Sequence, residues 1–246
     1  MRVIKGILRR LFKRRGLRLI NPDFYWGIDP FADVRRFALA QSRPVSMMFD
    51  VGAHYGETAI RAFGEFPDVR IVSFEPHPDS FASLQRALRG RDECVAVNSA
   101  VGDTVGDLEL HVYEESCLNS LTPNAAWAVQ SSWNSKSTVK VPCTTLDQYC
   151  EKNRVSGIDL LKIDTEGFDL QVLHGAKSLL ESKAVRFIFV EFTDLQPKEG
   201  VHGGALLPID SFLRPYGFRF ATSYLDSVGT KGELFFTANA LFVLQP

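Results

Sequence analysis

The chain has no apolar run approaching a membrane span, and its start shows neither the apolar core nor the cleavage site of a signal peptide. A spanning helix and a secreted product are therefore not expected. Cysteine is scarce, with four residues at 94, 117, 143 and 150, no C-x-x-C pair and no metal-ligand spacing. That excludes a disulfide framework and a structural zinc site, and favours reduced, partly buried thiols in the cytoplasm. Two glycine signatures are also missing. Neither G-x-G-x-x-G nor G-x-x-x-x-G-K-[ST] occurs, so the turns that let bare backbone approach a pyrophosphate or triphosphate are absent.

Net charge is small as well, formally −1, but it is unevenly spread. Eight of the 28 basic residues lie within 1–18, where there is no acid, leaving 20 basic against 29 acidic side chains in the remainder. An acidic body excludes generic nucleic-acid binding, which needs a basic face to neutralise phosphates. In the basic start, Val3, Ile4, Ile7, Leu8, Leu11 and Phe12 recur at helical spacing with Lys and Arg opposite. Such a helix suits peripheral contact with the inner face of a membrane, at about 1 kcal/mol per basic residue. Docking on its own domain and a solvated basic tail are the alternatives.

What is present is a βαβ rhythm. Residues 1–43 read as the basic amphipathic helix and a helical extension (a second helix over 31–41), and residues 44–246 as one domain opening after Pro44. Strand candidates at 45–51, 71–75 and 94–100 alternate with helices from Gly56 and over 78–88. Residues 105–113 and 137–142 read as an extra strand pair, 148–154 as a helix, 160–163 as a buried strand and 170–182 as one helix. A strand over 185–192, a helix over 208–215 and strands at 218–221 and 240–244 complete an α/β, mostly parallel sheet with helices on both faces. At 45% hydrophobic residues the chain can bury a sizeable core. Nothing in it reports an oligomeric state.

The first strand ends in Asp50 and a turn spaced G-x-x-x-G, Gly52 and Gly56, with His54 where a second phosphate-admitting glycine would stand. The second strand ends in Glu75-Pro76. An acid there is placed to accept hydrogen bonds from both ribose hydroxyls of a nucleoside. Ribose and adenine without a phosphate describe S-adenosylmethionine.

The succession continues with Asn98-Ser-Ala-Val-Gly102, Thr145-Leu-Asp147, Leu161-Lys-Ile-Asp-Thr-Glu-Gly167, Val172-Leu-His-Gly-Ala176 and Val190-Glu-Phe192. Taken with Asp50-Val-Gly-Ala-His-Tyr-Gly56 and Phe74-Glu-Pro76, it closely resembles the FkbM family of S-adenosylmethionine-dependent methyltransferases over roughly residues 45–192. The resemblance implies a class I, Rossmann-like methyltransferase domain that methylates oxygen, commonly on hydroxyls of sugars, glycans or secondary metabolites. His54 departs from the family, where Asn is commoner; both residues hydrogen-bond.

Cofactor contacts are expected from Asp50, Gly52, His54, Gly56 and Glu75, and from Asn98 and Asp103 at the adenine end. Asp50 either orients the glycine turn or meets the cofactor's amino-acid end, and Asp103 either meets the adenine amino group or makes a turn. Methyl transfer to a neutral alcohol requires loss of its proton, so a general base is expected at the strand ends. Asp164 is the candidate, as base or acceptor-positioning residue, with Glu166 and Glu191 behind it; capping of the helix near Phe168 is the structural alternative for Asp164 and Glu166. Lys162 is placed to pair with one of these acids. The three carboxylates raise the question of a divalent metal, but spacing alone fixes no geometry and none is assigned. Residues 114–136 break the rhythm and read as an acceptor-binding loop, with Asn119, Ser120, Trp127 and Trp133 as substrate contacts; packing is the alternative for each tryptophan, and Asn119-Ser-Leu121 echoes a short family element. Rival readings are an N-methyltransferase acting on an amine, a nicotinamide-dependent oxidoreductase and a catalytically idle nucleoside-binding relative.

Overall fold

The computed structural model describes residues 25–122, 135–195, 204–229 and 235–245. The basic amphipathic start, Trp127 and Trp133 lie outside them. The first described helix, α1 (Pro30–Ala40), begins where Asp29 accepts hydrogen bonds from the backbone N–H of Phe31 and Ala32, with Pro30 preset for the first turn. There follow β1 (Met47–Val51), α2 (Glu57–Glu65), β2 (Arg70–Phe74), α3 (Pro78–Ala87), β3 (Cys94–Val97), β4 (Ala100–Val101) and β5 (Gly106–Val112). Beyond the loop come β6 (Ser137–Thr144), α4 (Leu146–Asn153), β7 (Ile158–Ile163), α5 (Asp169–His174), α6 (Lys177–Glu181), β8 (Val185–Phe192), α7 (Leu206–Leu213), β9 (Phe218–Gly229) and β10 (Phe235–Leu244).

Seven strands form one sheet in the order β3-β2-β1-β7-β8-β10-β9, with β10 alone running against its neighbours. β7 is buried at every position and β8 at all but one, as strands covered on both faces must be. One face packs α1 and α2 through Phe31, Val34, Ala38, Ala59 and Ala62; the other packs Leu146, Cys150, Val172, Leu173, Ile209 and Leu213. At the strand entries Asp159 accepts from the N–H groups of Ser46 and Met47 and pairs with Arg186 at 2.8 Å, a buried ion pair whose remaining oxygen sites are hydrogen-bonded. No helix among the described residues is long and apolar enough to cross a membrane.

The structure differs from the sequence reading in three places. The strand expected over 94–100 splits: β3 stays in the main sheet, and β4 joins β5 and β6 in a second, three-stranded sheet. Asn98 and Ser99 make the corner, the first donating to the carbonyls of Glu75 and Pro76, the second to those of Ala100 and Pro142. The helix expected over 170–182 breaks into α5 and α6, because Gly175 passes so close to the Gly102 carbonyl that a Cβ would lie 1.9 Å from its oxygen. Asp147 then restarts the helix by accepting from the N–H of Ser178 and Leu179. The last two strands run far longer than the apolar runs at 218–221 and 240–244, because they pair with each other over ten residue pairs.

Candidate active site

From the sheet centre, β1 leads to β2 on one side and β7 leads to β8 on the other, so the chain reverses direction between β1 and β7. A crevice opens there beyond the carboxyl ends of the strands. The turn after β1 is stitched on both flanks. Gly52 and Ala53 donate to the Phe74 carbonyl at 3.1 and 2.9 Å, and Asp164 donates its N–H to the Val51 carbonyl. Gly52 sits at φ +77°, and a Cβ there would be 1.8 Å from the Asp164 carbonyl oxygen. Glycine is required because β7's exit crosses at backbone contact. Gly56 starts α2 at φ +94° with a Cβ position 2.9 Å from Leu84; it shapes the turn and does not line the cleft. His54, also at positive φ, stacks on Tyr55 and shares hydrogen bonds to Ser116 with it, His54 Nε2 at 2.9 Å and the Tyr55 hydroxyl at 2.8 Å. Burial pushes the imidazole below its ordinary pKa, favouring the neutral form.

Glu75 faces this turn. Its two carboxyl oxygens accept from the N–H of His54 at 2.9 Å and of His77 at 2.8 Å. Burial pushes its carboxyl up to about 7, against those two N–H groups, which favour the charge. A carboxylate offers about four acceptor sites, so about two remain open on the side that lines the cleft.

Several residues assigned to ligands from the sequence act instead from behind. Asp50 is fully buried and outside the cleft lining; it meets Lys162 Nζ at 3.3 Å and accepts no hydrogen bond from the turn. Asn98 spends its amide on the Glu75 and Pro76 carbonyls, fixing the strand end that carries Glu75. Asp103 is exposed and away from the cleft, whose wall there is Ser99, Ala100 and Val101. Ser120 is fully buried, donating to the Glu166 carbonyl at 2.7 Å and accepting from Thr122. Asn119 does line the cleft, with its oxygen on the Tyr113 N–H and its buried amide nitrogen without a partner among the described residues.

The acids converge as the sequence implied. Asp164, Glu166 and Glu191 line one cleft and bring carboxylate oxygens within 4.8 Å of each other. Neither Asp164 nor Glu166 caps the following helix. Asp169, the first residue of that helix, instead accepts from the N–H of Thr165 and Gly167 and the Thr165 hydroxyl, so the Thr165–Gly167 loop is held from below. Burial, with Asp164 nearby, raises the Asp169 carboxyl to about 6. Lys162 does more than the single pairing expected: it donates to the Gly52 carbonyl at 2.9 Å and bridges Asp50 at 3.3 Å and Asp164 at 3.4 Å. Burial opposes its charge, but Asp164 and Asp50 outweigh burial and hold the ammonium protonated. Burial first, then the charges of Asp164 and Glu166, push the Glu191 carboxyl well above the usual range.

The cleft, about 480 Å³, runs from the glycine turn past Glu75 and the acids to Asp226, Ser227 and Thr237 on β9 and β10, a size suited to a nucleoside with part of an acceptor. Those last three residues were not singled out from sequence; the only signal was an alternating pattern in 222–228 too polar to read as a strand. Ser116 and Cys117 likewise line it from a loop with no motif.

Comparison with known proteins agrees with this geometry. The family model for the methyltransferase FkbM domain matches residues 50–220. Over 199 residues the chain is 27% identical to a 31-O-demethyl-FK506 methyltransferase, FkbM, of Streptomyces tacrolimicus, covering 72% of this chain and 74% of that one. It is 24% identical over 174 residues to the 2-O-methyltransferase NoeI of Sinorhizobium fredii, covering 68% and 71%. A hexuronic acid methyltransferase, AglP, of Haloferax volcanii is 25% identical over 169 residues, covering 68% of this chain and 64% of that protein. Among solved structures, the METTL16 methyltransferase domain superposes with a TM-score of 0.50 at 12% identity, covering 88% of this chain and 66% of that one, a likeness of fold alone.

Proposed function

Since the chain belongs to the FkbM methyltransferase domain family and is an S-adenosylmethionine-dependent methyltransferase, we propose that its acceptor is a hydroxyl on a sugar, glycan or related small metabolite. The observation that carries this is the trio Asp164, Glu166 and Glu191 on the cleft wall beside the cofactor turn. A neutral alcohol must shed a proton as it attacks, so carboxylates at that point serve oxygen chemistry. The relatives, whose own names specify 2-O, 31-O and hexuronic acid methylation, support the same acceptor class.

The residues fit the cofactor. Glu75 keeps about two acceptor sites for a ribose diol, Gly52 presents backbone to the cleft, and the Asn119 amide nitrogen, unpartnered among the described residues, offers a donor inside the pocket. When bound, S-adenosylmethionine supplies a methyl group on a cationic sulfur. Asp164 then orients the acceptor hydroxyl and takes its proton. One of its oxygens is anchored by Lys162, the other is without a hydrogen bond among the described residues, and the side chain is one-third exposed to the cleft. Glu166 and Glu191 flank the same point. Asp50 holds Lys162 from the core side, so the base is fixed through an ion-paired chain rather than by a flexible loop.

Transfer of a ¹³C-labelled methyl from the cofactor to a panel of sugars and uronic acids tests this reading. O-methyl resonances in the product support it; exclusive N-methyl resonances with amino sugars would overturn it.

A further inference from the structure

The cleft holds more negative charge than a single base requires. Asp164, Glu166 and Glu191 crowd three carboxylates within 4.8 Å, and the neighbouring cation, Lys162, is already shared between Asp50 and Asp164. Proximity of acids names no ligand by itself, but Glu191 does. It is more than nine-tenths buried, at 8% exposure, and faces the cleft. Among the described residues it makes no hydrogen bond and no ion pair, so its carboxyl is left to the cleft. Asn239 stands directly opposite it across the β8–β10 ladder, so the two side chains share one face of the sheet. The Asn239 amide oxygen is also buried without a donor. Among the described residues, these two acceptors on one face thus have neither a hydrogen-bond donor nor an ion-pair partner.

We propose that Asp164, Glu166 and Glu191 hold a divalent cation of the magnesium, manganese or calcium class, against which the acceptor sets two neighbouring oxygens. An all-oxygen donor set selects such hard cations over zinc or copper. Two oxygens on one magnesium lie at most about 4.2 Å apart, and on calcium about 4.6–5.2 Å. Three oxygens within 4.8 Å of one another are near enough to converge on one such cation with modest side-chain rotation. The inference rests on the hydroxyl reading above and narrows it: the acceptor presents adjacent oxygens, as a vicinal diol or a hydroxy acid does. A cation at that point stabilises the acceptor oxygen as its O–H bond breaks and the proton passes to a carboxylate oxygen of the trio that neither the cation nor Lys162 holds. The same acceptor oxygen bonds the methyl carbon while the carbon–sulfur bond breaks, and the sulfur leaves as a neutral thioether.

The test is titration of Mn²⁺ into the EDTA-treated full chain, followed by electron paramagnetic resonance in the presence of S-adenosylhomocysteine. One saturable Mn²⁺ per chain is expected, weakened roughly tenfold or more in Glu191→Gln and in Glu166→Gln. Thermal melting and S-adenosylhomocysteine binding report folding in each variant, and the second serves if the first does not fold. Absence of saturable Mn²⁺ binding, or binding unchanged in both folded variants, would overturn the cation site and leave the hydroxyl reading standing. A saturable site combined with an N-methyl product would instead overturn the hydroxyl reading and the diol class.

Discussion

The ribose contact proposed for Glu75 should tie cofactor affinity to pH, and the size of the effect follows from its surroundings. Its carboxyl titrates at about 7 in the fold against an ordinary 4.5, so between those values the native protein keeps a proton that the unfolded chain has released. Stability without cofactor therefore falls as pH rises through that window, by about 3 kcal/mol at about 1.4 kcal/mol per unit. Cofactor binding runs the other way. In the proposed contact, ribose hydroxyls would donate to the ionised carboxylate, while protonation takes up one of the acceptor sites left by the His54 and His77 N–H groups. If only the ionised form binds well, the ionised fraction rises about tenfold from pH 6 to pH 8, and S-adenosylhomocysteine should bind about tenfold more tightly at pH 8. Calorimetry in two buffers of different ionisation enthalpy would also register proton release near pH 7. Glu75→Gln turns an amide N–H₂ toward one of two backbone donors. It should weaken binding by about 2–3 kcal/mol, roughly 30–150-fold, and flatten the pH profile. A wild-type affinity equal at pH 6 and 8, or the same slope persisting in Glu75→Gln, would refute the reasoning.

Three further outcomes follow from the same contacts. Asp164→Asn should lower the single-turnover rate of methyl transfer by about 10²–10⁴-fold while changing S-adenosylhomocysteine affinity less than about threefold; a rate within a few-fold of wild type would remove Asp164 from the chemistry. Gly52→Ala forces a Cβ to 1.8 Å from the Asp164 carbonyl at φ +77° and should cost more than about 4 kcal/mol in denaturant unfolding, with cofactor binding lost. A Gly52→Ala protein of wild-type stability would mean that β1 and β7 do not cross as described. Lys162→Met leaves Asp50 buried without its cation and should cost about 3–5 kcal/mol, much of which Asp50→Leu in the same chain should restore. Failure of the double variant to recover in the same unfolding assay would show that Lys162 acts through Asp164 or Gly52 instead.

Much of this protein is legible in one dimension because the relevant physics is local. Largely apolar segments such as 160–163 and 185–192 become strands buried on both faces, and a glycine turn or an acid at a strand end announces a crevice. Glu75, Asp164, Glu166 and Glu191 could be picked out because each ends a strand or begins the loop after one, and parallel neighbours bring such ends together. The lengths of β9 and β10 were not legible in the same way: polar residues at 222–228 enter a strand only because another strand lies beside them to satisfy the backbone.

The sequence determined by itself the α/β class and the acids at the strand ends, which depend on periodicity and on residue types at short spacing, and through its ordered motifs the resemblance to the family and the cofactor that the family implies. Only the tertiary structure separated residues that touch the cleft from residues that hold it. Asp50 recedes behind Lys162, Asn98 turns to brace the Glu75 strand end, and Ser120 is consumed by the Glu166 carbonyl. The distinction turns on which neighbour, from a strand or loop remote in sequence, claims each polar group. Hydrogen-bond and charge pairing of that kind are settled by distances of a few ångströms that no spacing along the chain encodes.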